Sequence, residues 1–319
     1  MQYRIGLLLT LMLTVMAARA AEPNALIERL NQSRSLEPAF QALNTSALAS
    51  AAGVDRRITS LLEELKPRLR GGQLRGVALA PEAAGMTLRL EFVGDNLNYL
   101  ALQYNDEGQL AGWYDYALGV SLSELVESLV AQGDAARGFL ERLNEQPLQA
   151  LAELPDSRQG RILSRLVLAA CSKEDCYTSA LARMQPLEEA YSSLWRYEQA
   201  VQQGDEEDAA RAMTHLREEL GRDPGLAWLD HARALARGRC SEAREDLEKA
   251  VKRWPDYQKL YPLAAQCAAR QQDWSATTRW FRALEERFGQ QIDFEALADH
   301  PVYGDYVESE SFHDWQGDS

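Results

Sequence analysis

Cysteine is the residue type whose number and spacing point most directly to chemistry in this sequence. The 319 residues include four cysteines and four histidines. The cysteines are Cys171, Cys176, Cys240 and Cys267, and the histidines are His215, His231, His300 and His313. Because no histidine lies near the cysteines at the spacing of zinc ligands, disulfides are favoured over a zinc site. No Cys-x-x-Cys pair is present, so a thioredoxin-like redox site has no support.

Other patterns that could carry catalysis are weak. The sequence has no Gly-x-Ser-x-Gly, no His-Glu-x-x-His and no phosphate-binding loop. Acidic pairs such as Glu206-Glu207 are more typical of solvated helix faces than of acid–base catalysis, and His231 is more typical of a packed helix position. We therefore predict no catalytic residues, no cofactor and no metal site.

The N-terminus predicts export. Arg4 precedes an apolar stretch that runs to Met16, and Ala18-Arg19-Ala20 then has the small-x-small pattern of a cleavage site. This order is typical of a secretory signal peptide at 1–20, and the stretch is shorter than the roughly 20 residues that span a bilayer. An uncleaved anchor is the rival interpretation. The first cysteine after the apolar stretch is as distant as Cys171, so we predict a periplasmic protein and not a lipoprotein.

The charge of the chain excludes some partners. The formal net charge is −14, and removing a leader with Arg4 and Arg19 makes it −16. Such an acidic surface repels phosphate backbones and anionic headgroups, so nucleic-acid binding is not expected. No later segment is apolar enough for an integral membrane segment after signal cleavage.

Residues 22–132 are predicted to form a small α+β domain. Apolar residues alternate with Thr87, Arg89 and Glu91, as in a strand with one face in water. Short turns rich in Gly, Asp and Asn join neighbouring strands, which predicts an antiparallel meander. The predicted strands are 74–79, 86–92, 99–104 and 110–116.

Helices are predicted on both sides of this meander. Pro67 and Gly71-Gly72 should end a helix that Asp55 could cap, and Ser121 and Glu124 form a capping box that should start another. The aromatic residues Trp113, Tyr114 and Tyr116 could line a ligand pocket, although aromatic strands are more often core.

An internal period follows. Gly204, Gly238 and Gln272 are spaced by 34 residues, and so are the residues five positions after each of them, Ala209, Ala243 and Thr277. This pattern resembles the tetratricopeptide repeat family, which implies helix–turn–helix units of about 34 residues over 190–289. The second unit matches best, with Gly238, Ala243, Leu247, Ala250 and Pro255 at the family's positions.

The remaining segments have two interpretations each. Residues 133–189 are either degenerate earlier repeats, because Gln132-Gly133-Asp134 and Asp175-Cys176-Tyr177 echo the repeat turn, or a plain helical bundle. Residues 290–319 combine aromatic and acidic residues, and form either a cap over the last repeat or a partner-binding tail. The predicted fold is thus mostly α: an α+β domain at 22–132, a helical repeat domain at 133–289 and a capping tail at 290–319.

The repeat pattern also affects which cysteines are expected to pair. Four cysteines allow three connectivities, and we predict the pairs Cys171–Cys176 and Cys240–Cys267. The resemblance implies antiparallel consecutive helices, which would bring the start of one helix, at Cys240, to the end of the next, at Cys267. The first pair requires a helix break within the polar residues 172–175. Four free, buried thiols are the rival interpretation.

Three functions are compatible with these features. The first is a non-catalytic periplasmic protein-interaction or scaffold protein, in which the repeat groove binds a protein or peptide partner of the cell envelope. The second is a small-ligand or peptide binding module centred on the α+β domain. The third, least supported, is an enzyme. The resemblance is to a fold that serves many roles, so the partner stays open.

Overall fold

The structure is a computed structural model, and it describes residues 24–54, 58–69, 72–80, 82–83, 85–94, 96–171, 174–184 and 193–318. The predicted signal peptide and Asp55 lie outside the described residues. The described chain is mostly helical and has one five-stranded antiparallel sheet near the N-terminus, which confirms the mostly α class and the predicted antiparallel sheet.

The elements before the repeats are as follows. The first helices are α1 (24–33), α2 (Glu37–Ala42), α3 (Thr45–Ala51) and α4 (Ile58–Leu69). The strands are β1 (Leu74–Leu79), β2 (Met86–Phe92), β3 (Leu97–Tyr104), β4 (Leu110–Asp115) and β5 (Val120–Ser121). Five helices follow: α5 (Leu122–Ala131), α6 (Ala135–Glu145), α7 (Pro147–Glu153), α8 (Arg158–Ala170) and α9 (Glu174–Met184).

The later elements are all helical. The three longer pairs are α10 (Ser193–Gln203) with α11 (Glu206–Leu220), α12 (Pro224–Ala236) with α13 (Cys240–Arg253), and α14 (Leu260–Arg270) with α15 (Trp274–Phe288). Three short helices end the described chain: α16 (Phe294–Ala298), α17 (Gly304–Val307) and α18 (Glu310–Asp318).

The sheet is a meander with its strands in sequence order. Register pairs such as Leu88 with Leu100 place leucines of neighbouring strands on one face, where α3 and α5 pack against β4. The predicted capping box starts α5, because Ser121 Oγ accepts a hydrogen bond from the Glu124 amide and the Glu124 carboxylate accepts one from the Ser121 amide. The sequence pattern does not predict the very short strand β5.

The helix predicted to end at Pro67 and Gly71-Gly72 is α4, which passes Pro67 and ends at Leu69. One sequence prediction about this region is wrong. The face of β2 predicted to lie in water is covered, because Thr87 and Arg89 are buried. Before β2, the chain also meets the end of α11, where an added Cβ on Gly221 would lie 2.3 Å from the Cβ of Glu82.

Contacts divide the chain into two compact units, unit 1 ending at Gly221 and unit 2 beginning at Arg222. Unit 1 therefore contains the sheet and the helices through α11, and unit 2 contains α12 to α18. The domain boundaries predicted from the sequence, at 132/133 and 289/290, stay predictions.

The three turns between paired helices share one backbone geometry. Gly204, Gly238 and Gln272 have φ values of 76°, 73° and 56°, in the left-handed region. In each turn this residue's amide donates to the carbonyl three positions back, and the next amide donates to the carbonyl five positions back. The small residues that follow in the second helix of each pair, Ala209, Ala243 and Thr277, are all buried. The period is thus a feature of the backbone as well as of the sequence.

The earlier helices do not repeat this turn. Gly133 also has positive φ, at 57°, but its next neighbour does not donate to the carbonyl five positions back. Asp175, which the sequence pattern aligns with the turn glycines, lies inside α9. The turn geometry of the later pairs therefore does not recur at these two positions, and both interpretations of this segment stay predictions.

The C-terminal helices cover α15 with aromatic side chains. The ring of Phe281 stacks on Trp315 at 5.6 Å, and Phe294 contacts Trp315 edge-on at 4.9 Å. Thr278 Oγ1 and Tyr306 Oη are hydrogen bonded at 2.8 Å, and Trp315 Nε1 donates to Glu285 at 3.1 Å. These helices therefore pack against α15, and their role as a cap over the last repeat stays a prediction.

Candidate functional site

The first helices of the repeat pairs in unit 2 present an open face. On α14 the exposed or partly exposed positions Pro262, Gln266 and Arg270 follow one another at intervals of four, so they form one stripe along the helix. The equivalent positions of α12, one repeat earlier, are Trp228, Ala232 and Ala236, and these are also partly or fully exposed. Because α12 packs against α14, the two stripes lie on neighbouring helices.

One end of this face combines an aromatic ring with a cation. Lys259, which is 7% exposed, places its Nζ 4.5 Å from the ring centroid of Trp228. The indole face therefore already has a cation partner within the protein. The other end of the face carries the exposed guanidinium of Arg270. We call these residues, Trp228, Ala232, Lys259, Gln266 and Arg270, the α12–α14 face.

A buried carboxylate lies at the end of the sheet in unit 1. Asp115 Oδ1 accepts hydrogen bonds from Asn98 Nδ2 at 2.9 Å and from the amides of Ala117 and Leu118 at 3.0 Å each. Burial raises the pKa of Asp115, and these three hydrogen bonds oppose that rise. The same carboxylate thus holds the β4–β5 turn in place.

The charge of Asp115 acts on Glu198 of α10. Burial by the surrounding protein and, second, the charge of Asp115 raise the pKa of Glu198 to about 7. The residue is nevertheless exposed to solvent. Tyr177 of α9 is close enough for Glu198 to raise its pKa, after burial as the main cause.

The aromatic run of β4 is divided between the two faces of the sheet. Trp113 is 2% exposed and packs edge-on against Phe40 at 5.1 Å, so it is core. Tyr114 contacts Tyr116 edge-on at 5.0 Å on the other face. Burial raises the pKa of Tyr116 to about 12, and Glu219 of α11 contributes to that rise by its charge and a hydrogen bond. The three residues therefore do not line one pocket.

A recess of about 410 Å³ lies between α1 and the β3–β4 hairpin. Its polar lining includes Arg29, Asn44, Tyr104 and Gln109. Asn44 Nδ2 donates to Gln109 Oε1 at 2.9 Å, and the Asn44 amide donates to the Leu110 carbonyl at 2.8 Å. The volume falls within the range of small-molecule sites.

The structure joins Cys171 to Cys176 in a disulfide, at the boundary of α8 and α9. Cys171 is the residue that ends α8, and Cys176 is in the first turn of α9. The helix break that this pair requires is therefore present, and the two Cα atoms are 5.6 Å apart.

The other two cysteines are free thiols in this structure, in contrast to the predicted pairing. They are nevertheless neighbours, because α13 packs against α14. Cys267 Sγ donates a hydrogen bond to the Cys240 carbonyl at 3.1 Å. That hydrogen bond directs the thiol of Cys267 toward the backbone of α13, and no sulfur–sulfur bond joins the two cysteines in this structure.

Among the described residues, no three His, Cys, Asp or Glu side chains are grouped so as to hold a metal ion. Within the same residues, no helix combines the length and apolar character needed to cross a membrane.

Sequence reasoning missed Asp115 and Glu198. Asp115 interrupts the aromatic run Trp113-Tyr114-Asp115-Tyr116, which is a visible signal for a buried polar role. Glu198 has no such signal, because the carboxylate that acts on it belongs to a distant part of the sequence.

Comparisons with protein-family models, curated proteins and solved structures find no match for this chain.

Proposed function

We propose that this chain is a non-catalytic protein-interaction protein of the bacterial cell envelope, and that its tetratricopeptide-like repeats bind a protein or peptide partner. The observation that carries the proposal is the turn that recurs once per repeat with one backbone geometry. Stacked helical hairpins of this kind present extended surfaces formed by equivalent helices, which suit the binding of another chain.

The α12–α14 face is the surface we assign to the partner. Its stripe on α14 contains an amide and a guanidinium, at Gln266 and Arg270, which can bond to peptide carbonyls or carboxylates. The half-buried ring of Trp228 supplies apolar contact area at little cost in side-chain entropy. The predicted export places this partner in the periplasm.

The test is site-specific crosslinking in cells of the source bacterium. A photoreactive amino acid replaces Gln266 in the full-length chain, and a second strain carries it at Lys252, an exposed position on α13. We expect a discrete crosslinked partner from position 266 and none from position 252. Export is checked in the same strains by the mass of the mature N-terminus, which is expected at Ala21.

A charge reversal sharpens the result. Arg270→Glu should remove the crosslink, whereas Lys252→Glu makes the same change of charge outside the face and should leave it intact. Crosslinks of equal strength from both positions, or none from position 266, would contradict the proposal.

A second function is favoured by the recess between α1 and the β3–β4 hairpin. In this alternative the α+β region binds a small ligand or a peptide end, and the repeats are its scaffold. Arg29 would pair with an anionic group, while Asn44 and Gln109 would orient it.

Thermal-shift screening of small anions and short peptides tests this alternative. A ligand that raises the melting temperature of the wild type but not of Arg29→Ala would support it. Arg75→Ala, which changes an exposed strand residue away from the recess, is the control. If no compound distinguishes the two variants, the recess is not a ligand site.

A further inference from the structure

The free cysteines of unit 2 form a buried pair on adjacent helices. Cys240 is the first residue of α13 and Cys267 lies in the second half of α14. They are 3% and 1% exposed. Burial is the main cause that raises the pKa of Cys267, and a hydrogen bond with Cys240 adds to it. Both sulfurs are therefore close together and shielded from solvent.

The C-terminal helices form part of that shield. Tyr303, which precedes α17, is 8% exposed and contacts Phe281 of α15 at 5.3 Å. Its hydroxyl lies within electrostatic reach of Cys240. Tyr303 belongs to the same buried cluster as Cys240 and Cys267, so opening of the tail that carries Tyr303 would loosen the packing around the pair.

We propose that Cys240 and Cys267 are a redox-sensitive dithiol, reduced in this structure and able to close into a disulfide between α13 and α14 when the C-terminal tail opens. This inference does not rest on the proposed binding function. It explains why two cysteines occupy adjoining core positions that small apolar residues would fill equally well.

The reaction is a thiol–disulfide exchange with an external disulfide, RSSR. Cys240, at the start of α13, loses its proton and its thiolate attacks one sulfur of RSSR, so that a mixed disulfide forms and RS⁻ leaves. Cys267 then gives up its proton and attacks Cys240 Sγ, and the second RS⁻ leaves. The protein loses two electrons and two protons, and RSSR is reduced to two RSH.

Closing this bond has a structural consequence. The segment that the two cysteines enclose contains all of α13 after its first residue and most of α14. A crosslink across such a segment restricts the unfolded chain, so the oxidised protein should melt at a higher temperature than the protein with both thiols free.

The experiment equilibrates the purified mature protein in glutathione buffers of graded potential and maps its disulfides by non-reducing peptide mass spectrometry. We expect a Cys240–Cys267 peptide to appear in oxidising buffers, with a higher melting temperature, and to disappear in reducing ones. Cys240→Ser should abolish both changes while keeping the Cys171–Cys176 peptide. Cys267→Ala gives the same test if the serine variant does not fold.

The role of the tail is tested by the rate of oxidation. Tyr303→Ala removes the shielding ring, so the Cys240–Cys267 peptide should form about tenfold faster or more, because local opening limits access. Tyr303→Phe keeps the ring and should react at the wild-type rate. Two thiols that stay free in every buffer that preserves Cys171–Cys176 would overturn the dithiol, and equal rates for the two Tyr303 variants would overturn its control by the tail.

Discussion

Units 1 and 2 are stabilised by different kinds of contact. Unit 1 buries polar side chains that link distant elements: Arg165 of α8 donates to the carbonyls of Leu118 and Gly119, and Asp115 holds the β4–β5 turn. Unit 2 repeats a local helical hairpin and covers its last helix with aromatic rings. The aromatic contacts are thus concentrated in unit 2, whereas buried polar residues with sequence-distant partners occur in both units, as Thr278 with Tyr306 shows.

The two kinds of contact differ in how much they contribute to the free energy of unfolding. A buried aromatic side chain removes about 150–250 Å² from water, at roughly 25 cal/mol per Å². A hydrogen bond contributes only about 0.5–1.5 kcal/mol net, but leaving a buried partner unsatisfied costs more. Unit 2 should therefore be most sensitive to loss of apolar cover, and unit 1 to small changes that misplace a polar or close backbone contact.

The largest effect is expected from removing the tail. Deletion from Phe294 onward exposes Phe281 and Leu284 of α15 and removes the cover that Trp315 and Tyr306 provide. We expect aggregation or loss of helical circular dichroism from unit 2. Leu148→Ser, a change at an exposed apolar position of unit 1, is the control and should alter neither. A truncated protein that stays monomeric with an unchanged melting curve would show that the tail is not a cap.

A single methyl group tests the close contacts of unit 1. Gly160, in the first turn of α8, would place an added Cβ 2.0 Å from the Pro155 carbonyl oxygen. Gly160→Ala must therefore shift the backbone, and we expect a loss of about 3 kcal/mol in the free energy of unfolding by urea.

Gly138 is the matched control for this substitution. It also lies in a helix, α6, but its added Cβ would meet only the flexible end of Arg142, at 3.0 Å. Gly138→Ala should gain helix propensity worth up to about 1 kcal/mol. If the two substitutions have the same effect, the contact at Pro155 does not constrain α8.

The asymmetry between the units also explains what the sequence could predict. The strands and the α5 capping box follow from local alternation and spacing, and the structure places strands at each of the four predicted segments. The turn at Gln272 is recognisable only because two glycines stand at the same period. Local pattern and repetition therefore carry most of the information about the fold.

The contacts that depend on distant pairs are not predictable in the same way. Thr87 and Arg89 have the polarity of a solvated face, yet both are buried in the folded chain. Cys240 and Cys267 are free thiols where a disulfide was predicted. A hydrogen bond to the Cys240 carbonyl sets the direction of the Cys267 side chain. Neither a periodicity nor a motif encodes such directions.

The edge of the sheet provides the next test. Asn31 of α1 donates to the Val77 carbonyl at 3.0 Å and accepts from the Val77 amide at 2.8 Å, so its amide occupies the outer edge of β1. Asn31→Ala should cost about 1–2 kcal/mol in unfolding free energy and leave an edge that can pair with another chain. Sedimentation should then detect self-association.

Asn31→Asp separates the two hydrogen bonds. It keeps the acceptor for the Val77 amide and loses the donor, so about half of the stability loss is expected. Gln32→Ala changes an exposed neighbour and should have no effect. A monomeric Asn31→Ala protein of wild-type stability would mean that the side chain does not protect the edge.

The pH dependence of unit 1 should depend on Glu198. Its pKa is raised from 4.5 to about 7 in the folded protein, so between these two pH values the folded chain holds a proton that the unfolded chain releases. The contribution of this group to the free energy of unfolding therefore falls as pH rises through that range. Glu198→Gln should flatten this slope, measured by urea unfolding at several pH values, whereas Glu145→Gln at an exposed position should not. An unchanged slope in Glu198→Gln would show that the group titrates normally.

The smallest effect is expected from exchanging the residues at the same position of two turns in unit 2. Gly238 and Gln272 occupy the same left-handed position, but only glycine adopts it without strain, which costs other residues about 1 kcal/mol. The side chain of Gln272 is exposed, and an added Cβ at Gly238 would meet no atom within 4 Å. Gln272→Gly should therefore stabilise unit 2 by about 1 kcal/mol, and Gly238→Gln should destabilise it by the same amount. Thermal unfolding of the two variants and of the double exchange measures this symmetry: equal and opposite shifts that cancel in the double variant are expected, and two shifts of the same sign would mean that the turns are not equivalent.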